Sequence, residues 1–273
     1  MIVGNCALCA ETTELRLSHY LPAGAYRALT SAKNPTEKRH EHFDPITGKR
    51  FLTNKQLRKH LLCSKCEQRF STNGECIVLK ELLRDSGKFE CRDKLIKAPI
   101  SQFKEGLQFY TNDMAGKFID FDAYLYFALS VFWRGTVTEW NPQTRHYFGA
   151  IIPRYRKQIR KYLLGIASHP SDLFLWVEVD LSTNPAAVLA FPEINKKPDQ
   201  DGIKHHTFSA PGLIFRLFLG PAVSNFMTKL TVHSGSPVMF STCSFVQHGL
   251  WDILANKRNK AALAGKAIKG MGA

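Results

Sequence analysis

Leu62-Cys63-Ser64-Lys65-Cys66-Glu67 sets two thiols two residues apart, and Cys6-Ala7-Leu8-Cys9 repeats that spacing near the N-terminus. A tight knuckle turn over each unit points both sulfurs to one side. Two such units supply the four soft ligands that structural zinc takes in a closed tetrahedral site. The interval between the pairs is longer than in a compact zinc ribbon, but the entropy of closing a loop grows only with the logarithm of its length. Neither pair lies in the strand-then-helix setting of a thioredoxin-like redox centre. Cys76, Cys91 and Cys243 bring the cysteine total to seven. An odd total does not close into a disulfide framework, and a free cysteine packs as a small hydrophobe. The two pairs therefore predict a zinc module.

Outward from the knuckles, Glu14 to His19 alternates, with Leu15 and Leu17 on one side and Arg16 and Ser18 on the other. That period predicts a half-buried strand, which Pro22 ends. Ala23 to Ser31 reads as a short helix. Lys33 to Lys55, rich in charge, Pro and Gly, reads as a long insertion or loop. Past the second knuckle a helix begins over Glu67 to Phe70, is interrupted at Asn73-Gly74, and resumes from Glu75 to Ser86 until Gly87 stops it. The second cysteine pair would then open a helix whose N-terminal dipole favours thiolates.

The chain changes character after about residue 95. Asp120 to Thr136 carries Phe121, Tyr124, Leu125, Ala128, Leu129 and Phe132 on one stripe, with Asp120 or Asp122 as cap and Arg134 near the end. A second helix spans Tyr147 to Leu164, begun or broken at Pro153. Strands follow over Leu173–Leu181, Ala186–Phe191, Leu213–Leu219 and within Ser236–Phe245, with Pro192 to Lys204 as a polar loop. The tail after Trp251 is rich in Ala, Lys and Gly. The fold class is α+β: a zinc-bearing module over 1–95, then a mixed helical and antiparallel-sheet region over 96–273 with a basic tail.

A hydrophobic fraction of 44% and a charged fraction of 22% over 273 residues are those of a soluble globular chain with a sizeable core. No run is apolar enough to span a bilayer and no leader precedes Cys6, so a cytoplasmic protein without a membrane partner is expected. The net charge of +14 and the pI near 9.5 favour a polyanionic partner. The cations best placed to meet phosphates are Arg58 and Lys59 beside the second knuckle, and Arg154, Arg156, Lys157, Arg160 and Lys161 on one helix face. A solvated helix face is the competing reading. The chain holds no glycine-rich phosphate loop, nucleophile elbow or dinucleotide fingerprint.

Cys6-x-x-Cys9, Ser18-His19-x-x-Pro22 and Leu62-Cys63-x-x-Cys66-Glu67 together resemble the zinc-bearing branch of the HNH endonucleases, whose core is a treble-clef or ββα-metal module. The resemblance covers about the first seventy residues. It implies a metal-dependent nucleic-acid endonuclease, with DNA as the expected substrate, in a mobile-element or antiviral setting. It implies His19 as the general base toward water and Glu67 as a ligand of a catalytic Mg2+ or other divalent ion, beside a structural Zn2+. Ser18 stands where that family often carries an acid, and no Asn matches the family's middle position, which falls near Arg58, with Asn54 and His60 out of register.

Each residue also has a plainer reading. His19 could bond the loop backbone as a buried strand histidine. Glu67 could complement the helix dipole. Ser71 and Glu75 lie further along the same segment, and Ser71, one turn on from Glu67, could face the same cleft or solvent. His40, His42 and Asp44 offer a compositional metal tract. Phe127, Phe132, Trp133 and Trp140 read as core, and His205 and His206 as neighbours on opposite strand faces. The second functional reading is a non-catalytic zinc-finger protein that binds nucleic acid or acts as an adaptor. A third reading is a scaffold in a larger assembly, whose C-terminal sheet and basic tail bind a protein partner or RNA.

Overall fold

The computed structural model describes residues 2–30, 39–43, 50–84, 86–99, 102–104, 107–111, 115–141, 147–181, 185, 187–194, 205–220 and 240–243. Within them the chain is α+β. Strands β1 (Val3–Asn5) and β2 (Thr12–His19) form an antiparallel hairpin across the first knuckle. After helix α1 (Ala23–Ala28), strands β3 (His40–Phe43) and β4 (Arg50–Thr53) pair antiparallel. The Lys33–Lys55 segment expected to be a loop is therefore partly a hairpin. Its charged strands hide the alternation that marks a half-buried sheet. The side chains of His40 and His42, and all of Asp44, lie outside the described residues.

Strand β5 (Arg58–Cys63) joins the other edge of β2 and runs directly into α2 (Ser64–Phe70), with Cys63 at the N-cap. The pairing shifts register between Arg16 and Leu17: Arg16 faces Leu62, whereas Leu17 faces His60, leaving Leu61 as an extra residue. Such a bulge breaks the two-residue period. Leu17 is consequently 46% exposed and Ser18 is buried, the reverse of the faces expected from strict alternation. Ser18 Oγ accepts the Leu62 N–H at 3.2 Å and so occupies the bulge.

The helix does not break at Asn73-Gly74. It passes through a single π turn, Ser71–Glu75, into α3 (Cys76–Glu81). α3 stops short of Ser86 because Leu82 turns extended and Leu83 N–H bonds the Pro211 carbonyl. A Cβ on Gly74 would lie 2.8 Å from the Phe127 backbone nitrogen, so the missing side chain lets another helix pass against the π turn.

That helix is α5, which follows α4 (Glu90–Leu95), β6 (Gln102–Lys104) and β7 (Leu107–Tyr110). It spans Phe121–Val137, with Asp120 Oδ1 capping the Ala123 N–H at 2.9 Å. Its residues from Ala123 to Thr136 are all buried, so it is a core helix wrapped on every side, not a striped surface helix. α6 (Pro153–Leu163) begins at the proline. Strands β8 (Leu173–Asp180), β9 (Ala190–Ile194), β10 (His205–Ala210), β11 (Leu213–Leu219) and β12 (Phe240–Cys243) complete a seven-stranded sheet, ordered β6-β7-β12-β8-β11-β10-β9.

The sheet is antiparallel except where β12 runs parallel to β8. β9 starts later than expected and runs through Pro192, which an edge strand tolerates. Phe127 and Phe132 of α5 pack on Phe208, and Phe127 also packs on Phe215. Leu8, Cys63, Phe70, Leu129, Leu163 and Phe215 belong to one hydrophobic core, which residues on both sides of position 95 share. His205 and His206 point to different partners, Arg216 and Tyr147. No described helix is long and apolar enough to cross a membrane. The basic tail lies outside the described residues.

Candidate metal centre and cleft

Cys6, Cys9, Cys63 and Cys66 converge, their sulfurs all within 4.8 Å of one another. Cys9 Sγ and Cys63 Sγ are 3.9 Å apart. Four sulfurs at about 2.3 Å from one zinc stand roughly 3.8 Å from each other, so the donor set and its spread fit that ion. In the first knuckle the Ala10 N–H bonds the Cys6 carbonyl at 2.8 Å, and Ala10 takes a left-handed φ of 69° to close the turn. The Cys63 N–H points at Cys6 Sγ, 3.3 Å away.

Burial opposes ionisation of Cys6, yet backbone hydrogen bonds from Cys9, Cys63 and Leu8 bring it below the usual thiol value. Burial and the neighbouring sulfurs push Cys66 far up, and burial raises Cys9 as well. A bound divalent cation reverses that repulsion, which is the chemistry of a structural zinc site. It is the one group of three or more potential ligands that converges among the described residues. Cys76 is exposed and Cys91 is buried.

Next to this centre lies a cleft of about 400 Å³, lined by residues of β2, α1, the α2–α3 segment and α5. His19, Glu67, Ser71 and Glu75 all line it. Burial holds the His19 imidazole below its usual pKa, and the Arg58 guanidinium on the paired strand adds to the effect. A Gln56 hydrogen bond and the Glu75 carboxylate act against it. A depressed value leaves a neutral imidazole able to accept a proton near pH 7. Glu67 Oε1 is buried with no hydrogen-bond partner. Ser71 Oγ sits 3.1 Å from Cys76 Sγ.

Arg134 enters the cleft from α5. Its guanidinium donates to Glu75 Oε1 at 2.6 Å, to the His19 carbonyl at 3.0 Å and to Ser130 Oγ at 3.2 Å, and it lies over the Phe70 ring. Sequence reasoning assigned this residue only to the helix dipole. The available signal was an arginine inside a seventeen-residue run that is otherwise nearly all apolar. Arg27, Lys80 and Arg84 also line the cleft and were not singled out from the sequence.

The cations expected to meet nucleic acid divide into two groups. Arg58 is exposed beside His19. Lys59 donates to the Glu139 carbonyl, Arg154 pairs with Asp172 at 2.9 Å, and Arg160 donates to the Leu8 carbonyl at 2.5 Å. Those three tie elements together. Arg156, Lys157 and Lys161 remain on the outer side of α6, outside the cleft lining. No family model, curated protein or solved structure matches the chain.

Proposed function

We propose that the protein is a zinc-stabilised, metal-dependent nucleic-acid hydrolase of HNH type, with DNA as its preferred substrate. The observation that carries this reading is the meeting of His19 and Glu67 in one cleft beside the four-cysteine centre. The β1–β2 hairpin, the pairing of β2 with β5 and the helix opened by Cys63 support a treble-clef reading of the module. The zinc is structural, because four thiolates leave no open coordination position.

In this reading the His19 imidazole takes a proton from water as the water oxygen attacks phosphorus, and the P–O bond to the leaving oxygen breaks. Burial keeps His19 unprotonated for that step. The unsatisfied Glu67 oxygen is the group that would hold a divalent ion, which would neutralise charge developing on the phosphate. Ser18 does not act as a replacement ligand, since its hydroxyl is buried in the β2–β5 bulge.

A second reading, a non-catalytic zinc protein that binds nucleic acid, is favoured by a specific observation. Glu75 is paired with Arg134, and His19, Glu67 and Glu75 do not converge as a metal-ligand cluster.

Incubating supercoiled plasmid and single-stranded DNA with the protein and Mg2+ or Mn2+, beside His19→Ala, separates the two. The hydrolase reading expects nicking or linearisation by the parent and loss of at least a hundredfold in the variant. DNA binding without cleavage by either protein selects the second reading. Equal cleavage by both removes His19 from the mechanism.

A further inference from the structure

We infer that Arg27, Lys80 and Arg84 form a phosphate-binding wall of the His19 cleft, and that its ligand is a polynucleotide backbone, not a single nucleotide. The inference rests on the proposed reading of the cleft and adds a binding surface to it. The three residues come from two separate elements: Arg27 lies in the last turn of α1, Lys80 in the last turn of α3 and Arg84 just beyond it. Their approach depends on Gly24, where a Cβ would lie 2.7 Å from Leu79 Cδ1. α1 can therefore lie close against α3, and all three cations line one cavity together with His19 and Glu67.

Arg27 and Lys80 are exposed and enter no ion pair with a described residue. Arg84 Nη2 donates to the Leu79 carbonyl at 2.9 Å. That bond fixes the side chain and leaves its other guanidinium nitrogens for a ligand. The cleft lining thus carries both signs: Glu67 and Glu75, of which Arg134 already engages Glu75, and the three further cations. A single phosphate beside His19 and Glu67 needs one positive partner, whereas a wall of three supports phosphates on either side of the one being attacked. The outer face of α6 is a poorer candidate, because Arg154 and Arg160 are held by Asp172 and Leu8.

The test uses the full chain carrying His19→Ala, so that binding is read without cleavage. Fluorescence anisotropy with labelled single-stranded and duplex oligonucleotides is followed across a salt series. Removing two phosphate contacts with Arg27→Gln/Lys80→Gln should weaken binding at least tenfold at 0.1 M salt. It should also make the log–log salt slope shallower by about 1.4 on single strands and about 1.8 on duplex. Both substituted residues are exposed, so a melting curve should be unchanged. Arg84→Lys should keep most of the affinity. The control is Lys97→Gln/Lys117→Gln, the same loss of two charges at residues outside the cleft lining, which should leave the affinity within twofold.

A double variant that binds with the parent's affinity and slope overturns the wall. So does an equal loss from Lys157→Gln/Lys161→Gln, which would place the contact on α6. Competition by a mononucleotide or inorganic phosphate as effective as the oligonucleotide, compared per phosphate, overturns the polynucleotide assignment. Cleavage by the His19-intact protein is measured separately. An active nuclease whose binding ignores Arg27 and Lys80 therefore fails this inference alone.

Discussion

Arg134 Nη2 and Glu75 Oε1 lie 2.6 Å apart, joining a helix of the C-terminal region to the π turn that follows the second knuckle. The arginine side chain is 1% exposed and the glutamate 16%. A cation that deep is retained only with its donors satisfied, and the Glu75, Ser130 and His19 oxygens satisfy them. The bond to the His19 carbonyl makes Arg134 a brace for the strand end that carries the candidate base.

Arg134→Met should therefore destabilise the protein by about 3–5 kcal/mol, because it leaves a largely buried carboxylate without its partner. Glu75→Gln/Arg134→Met should cost clearly less than the sum of the two single changes. Denaturant melts of all four proteins provide the cycle. Additive losses would show that the pair is not coupled.

The metal centre makes a separate prediction. The purified protein should carry about one zinc per chain by elemental analysis. Cys63→Ser should abolish it, and the stability lost should be on the order of several kcal/mol, since metal binding and folding of this module are linked. Cys76→Ser, at an exposed position outside the quartet, should keep the zinc. Zinc-free protein that melts at the temperature of the loaded form would remove the structural role.

Ala10 closes the first knuckle at a φ of 69°, in the region where an L side chain costs about 1–2 kcal/mol. Glycine avoids that cost but loses about 0.5–1 kcal/mol to its greater unfolded-state freedom. Ala10→Gly should thus stabilise the zinc-loaded protein by roughly 0.5–1 kcal/mol in chemical denaturation. A destabilised variant would show that the Ala10 methyl packs favourably enough to outweigh the strain.

What the sequence made legible was what depends on near neighbours. The cysteine spacings, an aspartate cap at Asp120 or Asp122 (Asp120 in the structure) and the β11 limits at Leu213 and Leu219 are set within a few residues of one another. The faces of Leu17 and Ser18 were not legible, because they are decided by a bulge against a strand more than forty residues away. Arg134 was read as a helix-end cation because its partners Glu75 and His19 stand 59 and 115 residues upstream. Likewise, no local pattern announces that Gly24 lets α1 approach Leu79 and so gathers Arg27 with Lys80. His19 and Glu67 were brought together by the resemblance alone, which sets His19 between the two knuckles and Glu67 directly after the second.

His206 gives a prediction about acid stability. Its ring Nδ1 is 3.0 Å from the Tyr147 hydroxyl, and burial, reinforced by neighbouring His205, lowers its pKa to about 4. In the unfolded chain the same imidazole takes a proton near pH 6.5. Between those values the unfolded ensemble binds the extra proton and the native state does not, so stability falls as pH is lowered through that window. The penalty is absent above about pH 6.5 and reaches roughly 3 kcal/mol near pH 4. Burial of His19 acts in the same direction. His206→Gln cannot titrate but still offers an acceptor to Tyr147. It should flatten the pH dependence of the unfolding free energy between pH 6.5 and 4 by about that amount. Urea melts at half-unit pH intervals measure it. An unchanged slope in the variant would assign the acid sensitivity to other groups.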